Sequence, residues 1–248
     1  MLRYIILGLI LAGLFQVFFW ITQDNRISLK QDASERIESL SYSPYEGYDK
    51  KVLSPKQIEE DIGILLNFTN KVRTYSAADA KVILEETSKT NMMVDLGLWL
   101  SGDYEENFLE IERAVKLLEK YPNNINNVIV GNETLLRTDL NAAELGAYLD
   151  FMREFTNKPI TTAEVWHSLI KYPEIGTHVD FIMVHILPYW EKIPIDRFNE
   201  FVIEKYTLVE KQYPNKKITI GETGWPSHGY NFNGAVPGLK NQAIAIRG

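Results

Sequence analysis

The chain has 248 residues, 45% hydrophobic and 24% charged, with 33 acidic against 26 basic side chains, a formal charge of −7 and no cysteine. That apolar fraction supplies a core and excludes disorder, and the length suits one large α/β barrel or two small domains. The acidic balance argues against nucleic acid, and the lack of thiols excludes disulfides, thiolate metal sites and a cysteine nucleophile, which leaves a neutral or polar substrate as the starting expectation.

From Tyr4 to Ile21 the sequence is apolar apart from Gln16. At 1.5 Å per helical residue such a run roughly crosses a ~30 Å hydrocarbon core, so residues 1–22 are expected to form a transmembrane signal anchor. No small-x-small cleavage motif follows, and Arg3 precedes the run, so the positive-inside rule places the remaining chain outside the cytoplasm, periplasmic or extracellular. Secretion after signal cleavage is the alternative. Trp20, with Phe18 and Phe19, suits an interfacial aromatic belt and equally suits plain hydrophobic filler. Residues 23–36 read as a polar tether.

Seven short β-branched or apolar runs then alternate with longer amphipathic stretches, the pattern of a parallel sheet with crossover helices. The predicted strands are 37–43, 71–75, 92–99, 127–131, 159–163, 179–185 and 217–222. Ser54-Pro55 starts one helix as N-cap and first-turn proline, Asn141 starts a second, and Pro194 precedes a third that runs to about Tyr213. Strand starts recur every 20 to 40 residues or so, the spacing of a (β/α)₈ TIM-type barrel, and the units show no self-similarity that would suggest a solenoid. Only about 25 residues follow the seventh strand, too few for an eighth strand and helix. The expectation is therefore an α/β barrel over 37–248, truncated before its eighth unit, with unpaired edges and low stability.

Functional groups of such barrels gather where strands end. The fourth strand delivers Asn132 and Glu133, and the seventh delivers Glu222, Gly224 and Trp225. In both, an apolar strand and a glycine precede a carboxylate, and strands four and seven face each other across an eight-strand barrel. A carboxylate there is costly to bury unless paired, so both are candidates to converge on one pocket. A glutamate that only complements a helix N-terminus is the plain alternative for either one alone.

Four tryptophans, Trp99, Trp166, Trp190 and Trp225, lie at or just past predicted strand ends three, five, six and seven. Their flat faces suit sugar rings, although each also suits core packing. Tyr42, Arg73, Tyr75, Glu164, His185 and Tyr189 occupy similar positions. The four histidines show no metal-ligand spacing, and neither G-x-S-x-G nor a phosphate-binding P-loop is present. No cofactor is implied.

These residues resemble glycoside hydrolase family 17, the β-1,3-glucanase family of the retaining (β/α)₈ clan. The matching stretches are VRTYS (72–76), IVGNET (129–134), VHILPYW (184–190) and IGETGWPS (220–227), and the resemblance spans about residues 37–235. It implies Glu133 as general acid/base and Glu222, 89 residues later, as nucleophile. It further implies that Asn132 holds the sugar 2-hydroxyl and that Tyr189 or His185 orients the nucleophile. Retention requires carboxyl groups about 5–5.5 Å apart, and repulsion from an ionised Glu222 is expected to raise the pKa of Glu133. Three readings follow: a retaining β-1,3-glucan hydrolase, a β-glucan transglycosylase, and a non-catalytic glucan-binding subunit. A membrane glucan synthase is a candidate partner.

Overall fold

The computed structural model describes residues 2–23, 36–46 and 51–247. Most of the expected tether lies outside these residues. Leu2–Gln23 form helix α1, 22 residues long. Among the described side chains no helix is long and apolar enough to cross a membrane. Several side chains of α1, including Phe19 and Trp20 of the expected aromatic belt, lie outside that described set.

Seven parallel strands form one sheet in chain order: β1 (Leu40–Ser41), β2 (Lys71–Arg73), β3 (Met93–Leu98), β4 (Ile125–Asn132), β5 (Ile160–Val165), β6 (Ile182–His185) and β7 (Ile218–Glu222). Each pairs with the next, and no ladder joins β7 to β1 among the described residues. The sheet is a barrel with one place open. A cavity of 170 Å³ lies at that gap, lined by Ser39, Lys71, Arg73, Asp95, Thr219 and Gly221 among others.

Helices α2 (Pro55–Leu65), α3 (Ala77–Thr87), α4 (Tyr104–Lys120), α5 (Ala142–Arg153), α6 (Trp166–Lys171) and α7 (Phe198–Gln212) follow strands one to six. Their starts are set by capping chemistry. Ser54 caps α2 and Asn141 caps α5, each in a reciprocal box with the residue three positions on, Gln57 and Glu144. Pro194 leads into a 3-10 turn, Ile195–Arg197, before α7 begins. Behind the sheet, Ile58, Ile83, Leu84, Leu145, Leu149 and Val209 seal the strands against the helices. Inside the barrel, Ile129, Ala163, Phe181 and Met183 form a smaller apolar layer.

Three local features differ from expectation. A short antiparallel hairpin pairs Tyr45–Glu46 with Lys51–Val52 in the connection after β1. Strand β5 continues two residues past Ala163, so Glu164 belongs to the strand rather than to its loop. After β7 the chain forms helix α8 (Leu239–Arg247), whose Ala245 packs on a cluster of Tyr189, Phe198 and Trp225.

Candidate active site

The two carboxylates reach the barrel mouth by the same device, a glycine that lets the backbone leave the pleat. At the end of β4, Gly131 has φ 86° and the ladder to β5 shifts register between Ile129 and Asn132. A Cβ at Gly131 would lie 2.6 Å from Thr134 Oγ1. Glu133 follows with φ 52°, a left-handed conformation uncommon for a side-chain-bearing residue, and its amide donates to Ala163 O at 2.8 Å. At β7, a Cβ on Gly221 would lie 2.5 Å from Met183 Cγ, and a register shift brings Glu222 opposite His185.

One oxygen of Glu133, one of Glu222 and one ring nitrogen of His185 lie within 4.8 Å of one another. Arg73, 3% exposed, organises the group from β2. Its Nη1 approaches His185 Nε2 at 2.9 Å, Gly221 O at 3.0 Å and Glu222 Oε1 at 3.2 Å, while Nη2 donates to Asn132 Oδ1 at 2.6 Å. A guanidinium has no acceptor, so His185 accepts at Nε2 and carries its proton on Nδ1, which donates to Glu133 Oε1 at 2.8 Å. Tyr75 completes the surroundings of Glu222: burial first, then the charge of Glu222, raises its phenol to about 12, so it stays a donor. Glu133, His185 and Glu222 have the donor types of a metal site. The Arg73 cation already faces two of the three, so a divalent ion there would meet a fixed positive charge.

The expected rise in the Glu133 pKa is not what the site shows. The hydrogen bond from His185 lowers it against the opposing effect of burial, aided by the charges of Arg137 and Arg73. Without substrate, Glu133 is a carboxylate that accepts a hydrogen bond from neutral His185. Glu164 is the carboxyl whose affinity for protons is raised, to about 7, because burial outweighs the opposing effect of the Leu135 and Leu136 amides.

The other candidates divide into two groups. Arg73, Asn132, His185 and Tyr75 surround the carboxylates as above. Trp190 is 65% exposed and lines a 340 Å³ cavity with Glu133, Leu136, Val165, His167 and Glu191. Trp99 is 44% exposed, stacks under Arg137 at 4.2 Å and lines a larger groove with Tyr45, Tyr75 and Asp79. Half-buried Trp166 packs on the core and donates from Nε1 to Glu191 Oε1 at 2.7 Å, so it supports that cavity from behind.

The remaining four are enclosed or held by protein partners. Trp225 is 4% exposed, packed edge-on against Tyr189 and Phe198, with Nε1 donating to Val236 O. Tyr189 is buried in the same cluster and donates to Tyr230 O, and the groups that contact Glu222 are Arg73 and Tyr75. Tyr42 donates to Asp61 Oδ2 at 2.7 Å and ties the segment after β1 to α2. Glu164 is fully buried. Sequence reading missed Tyr45, whose hydroxyl donates to Asp79 at 2.5 Å beside the larger groove, and Arg137. An arginine four residues after Glu133 in an irregular loop carries no pattern that marks it.

Residues 39–248 match the family model of the BtgE/BtgC glycoside hydrolase domain. The chain is 23% identical over 218 residues to the probable family 17 glucosidase SCW4 of Saccharomyces cerevisiae, covering 85% of this chain and 56% of that protein. It is 29% identical over 202 residues to a glucan 1,3-beta-glucosidase of Arthroderma benhamiae, covering 74% of this chain and 64% of the relative. The chain thus spans less than two thirds of the length of either relative. Among solved structures, an active-site mutant of Rhizomucor miehei beta-1,3-glucanosyltransferase in complex with laminaritriose superposes with a TM-score of 0.77 at 27% identity, covering 86% of this chain and 81% of that one.

A parallel α/β barrel with two glutamates facing each other at its mouth is the frame of a glycoside hydrolase domain. With the family model matching most of its length, this chain belongs to glycoside hydrolase family 17.

Proposed function

We propose that this chain is the catalytic domain of an enzyme that cleaves β-1,3-glucan with retention, Glu222 acting as nucleophile and Glu133 as general acid/base. The observation that supports this best is the approach of the two carboxylates to within 4.8 Å. Inverting hydrolysis needs about 6.5–9.5 Å to admit a water between the groups, whereas direct attack needs about 5–5.5 Å. Glu222 Oε1 is held by Arg73 and faces Tyr75, while His185 occupies one oxygen of Glu133 and leaves the other for the leaving oxygen. Bound sugar would exclude water from Glu133, which disfavours its charged form, and ionised Glu222 repels a second charge. Both favour the protonated acid at the moment it is needed. Attack of Glu222 on the anomeric carbon, with proton transfer from Glu133, gives a glycosyl ester and a free chain end; Glu133 then takes a proton from the acceptor as the ester opens. The Arg73 bond to Asn132 Oδ1 turns the amide NH₂ into the group available to a sugar hydroxyl.

A second reading, transglycosylation, differs only in whether water or sugar opens the ester. The exposed Trp190 face in the cavity that Glu133 lines favours it, since a sugar ring can stack there. Incubation with laminari-oligosaccharides tests both: shorter products and new reducing ends mean hydrolysis, and chains longer than the substrate mean transfer. Binding without turnover by folded protein would instead identify a glucan-binding subunit. We further propose that α1 anchors the enzyme in a membrane with the barrel outside the cytoplasm, positioned to meet glucan delivered by a synthase in the same membrane. Its length, 22 residues, supports this.

A further inference from the structure

The site contains a third carboxyl that the reaction itself does not use. Glu164, next to the β5 residue that receives the Glu133 amide, is fully buried. Its Oε1 accepts from the Leu135 amide at 2.7 Å, and the neighbouring Leu136 amide also favours its charged form. Its Oε2 is buried and has no hydrogen-bond partner among the described residues. Leu135 and Leu136 belong to the turn that starts at Glu133, where φ is 52°. A backbone conformation of that kind persists only where its surroundings enforce it. Ala163 O holds the turn at the Glu133 amide, and Glu164 holds it two residues later at the Leu135 amide. The grip is strongest when Glu164 is ionised, since charge-assisted bonds to backbone amides exceed neutral ones.

We infer that Glu164 is a positioning residue for Glu133: its carboxyl clamps the turn that aims the acid/base toward the leaving oxygen, and its ionisation electrostatically favours the protonated form of Glu133. This rests on the acid/base role proposed above for Glu133. The charged groups that bear on Glu164 are Glu133 and Arg137. Those that bear on Glu133 are Arg137 and Arg73, with Glu222 across the mouth, and neutral His185 donates to it from Nδ1. Arginine and histidine contacts favour the charged form of Glu133, and a negative Glu164 opposes them. The partnerless Oε2 can carry a proton without losing a bond, and burial favours that protonated form, raising the carboxyl to about 7.

The test has two parts. In full-length protein in detergent micelles, labelled with ¹³C at glutamate Cδ, one glutamate should titrate close to neutrality and disappear in Glu164→Gln. The Glu133 resonance, identified by its loss in Glu133→Gln, should show a second inflection at that same pH. Absence of a neutral-titrating glutamate, or a Glu133 curve that ignores it, overturns the inference whether or not the protein turns over glucan. In the second part, Glu164→Gln should lose about tenfold in kcat on unactivated laminari-oligosaccharide, a fraction of what a general acid supplies. It should lose less than about twofold on an aryl β-glucoside whose leaving group needs no proton. The alkaline limb of its kcat/KM profile should move to lower pH. Equal losses on both substrates with an unmoved limb would mean that Glu164 only supports the fold, and an inactive wild type would count against the glucanase reading alone.

Discussion

Arg73 Nη1 lies 2.9 Å from His185 Nε2, and this contact fixes the polarity of the whole site. With the guanidinium donating there, the imidazole proton is left on the side of Glu133. The same arginine reaches Glu222 and Asn132, so one buried cation sets the orientation of three groups on three strands. Arg73→Lys should lower kcat by 10²-fold or more at nearly constant KM, because a single ammonium on a flexible stem cannot reproduce the fork. Steady-state kinetics alongside circular dichroism would check it; a folded variant with near-normal kcat would remove Arg73 from the mechanism.

Glu164 also has a stability signature. Its pKa is raised from 4.5 to about 7, so below the unfolded value both states are protonated and nothing is lost. As pH rises through this window the unfolded chain ionises first, and the native state loses on the order of 3 kcal/mol by about pH 7. Urea unfolding at pH 5 and pH 8 should therefore show Glu164→Gln gaining stability relative to wild type at the higher pH. Parallel pH dependence in the two proteins would contradict the burial penalty.

Gly131 and Gly63 should respond oppositely to alanine. At Gly131, φ of 86° and a Cβ placed 2.6 Å from Thr134 Oγ1 make Gly131→Ala costly, about 1–3 kcal/mol, and it should reduce activity through the displaced Glu133. Gly63 sits within α2 with open space around it, so Gly63→Ala should stabilise by about 0.5–1 kcal/mol. Thermal unfolding of both variants reads the contrast directly.

Removal of residues 2–23 should move the protein from the membrane pellet to the soluble fraction with its glucan turnover intact. Carbonate extraction of cells that produce the full chain provides the comparison. Recovery of full-length protein in the soluble fraction would contradict anchoring.

The strand order and the two glutamates were legible because both are written as local patterns: an apolar run, a glycine, a carboxylate, twice. Parallel strands buried on both faces leave such runs uninterrupted. Strand β1 was overestimated, at residues 37–43, because an edge strand has one neighbour and ladders only at Leu40–Ser41. Trp225 and Tyr189 misled because an aromatic at a strand end reads alike whether it meets sugar or a neighbouring ring, and the loop ending in Phe232 supplies that ring. The lowered proton affinity of Glu133 is hidden from the sequence for a similar reason. Repulsion from Glu222 could be inferred from the motif, but the His185 bond and the Arg137 charge depend on how distant segments meet.

The pairing of Glu133 with Glu222 is tested most directly by the anomeric configuration of the glycosyl azide formed when Glu222→Ala is given azide and an activated aryl β-glucoside. With Glu222 as nucleophile, azide should fill the space it vacates and yield the α-azide, restoring turnover that the variant otherwise lacks. A β-azide from this variant would mean that Glu222 is the acid/base and the two roles are exchanged; unimpaired turnover without azide would mean that Glu222 is not the nucleophile.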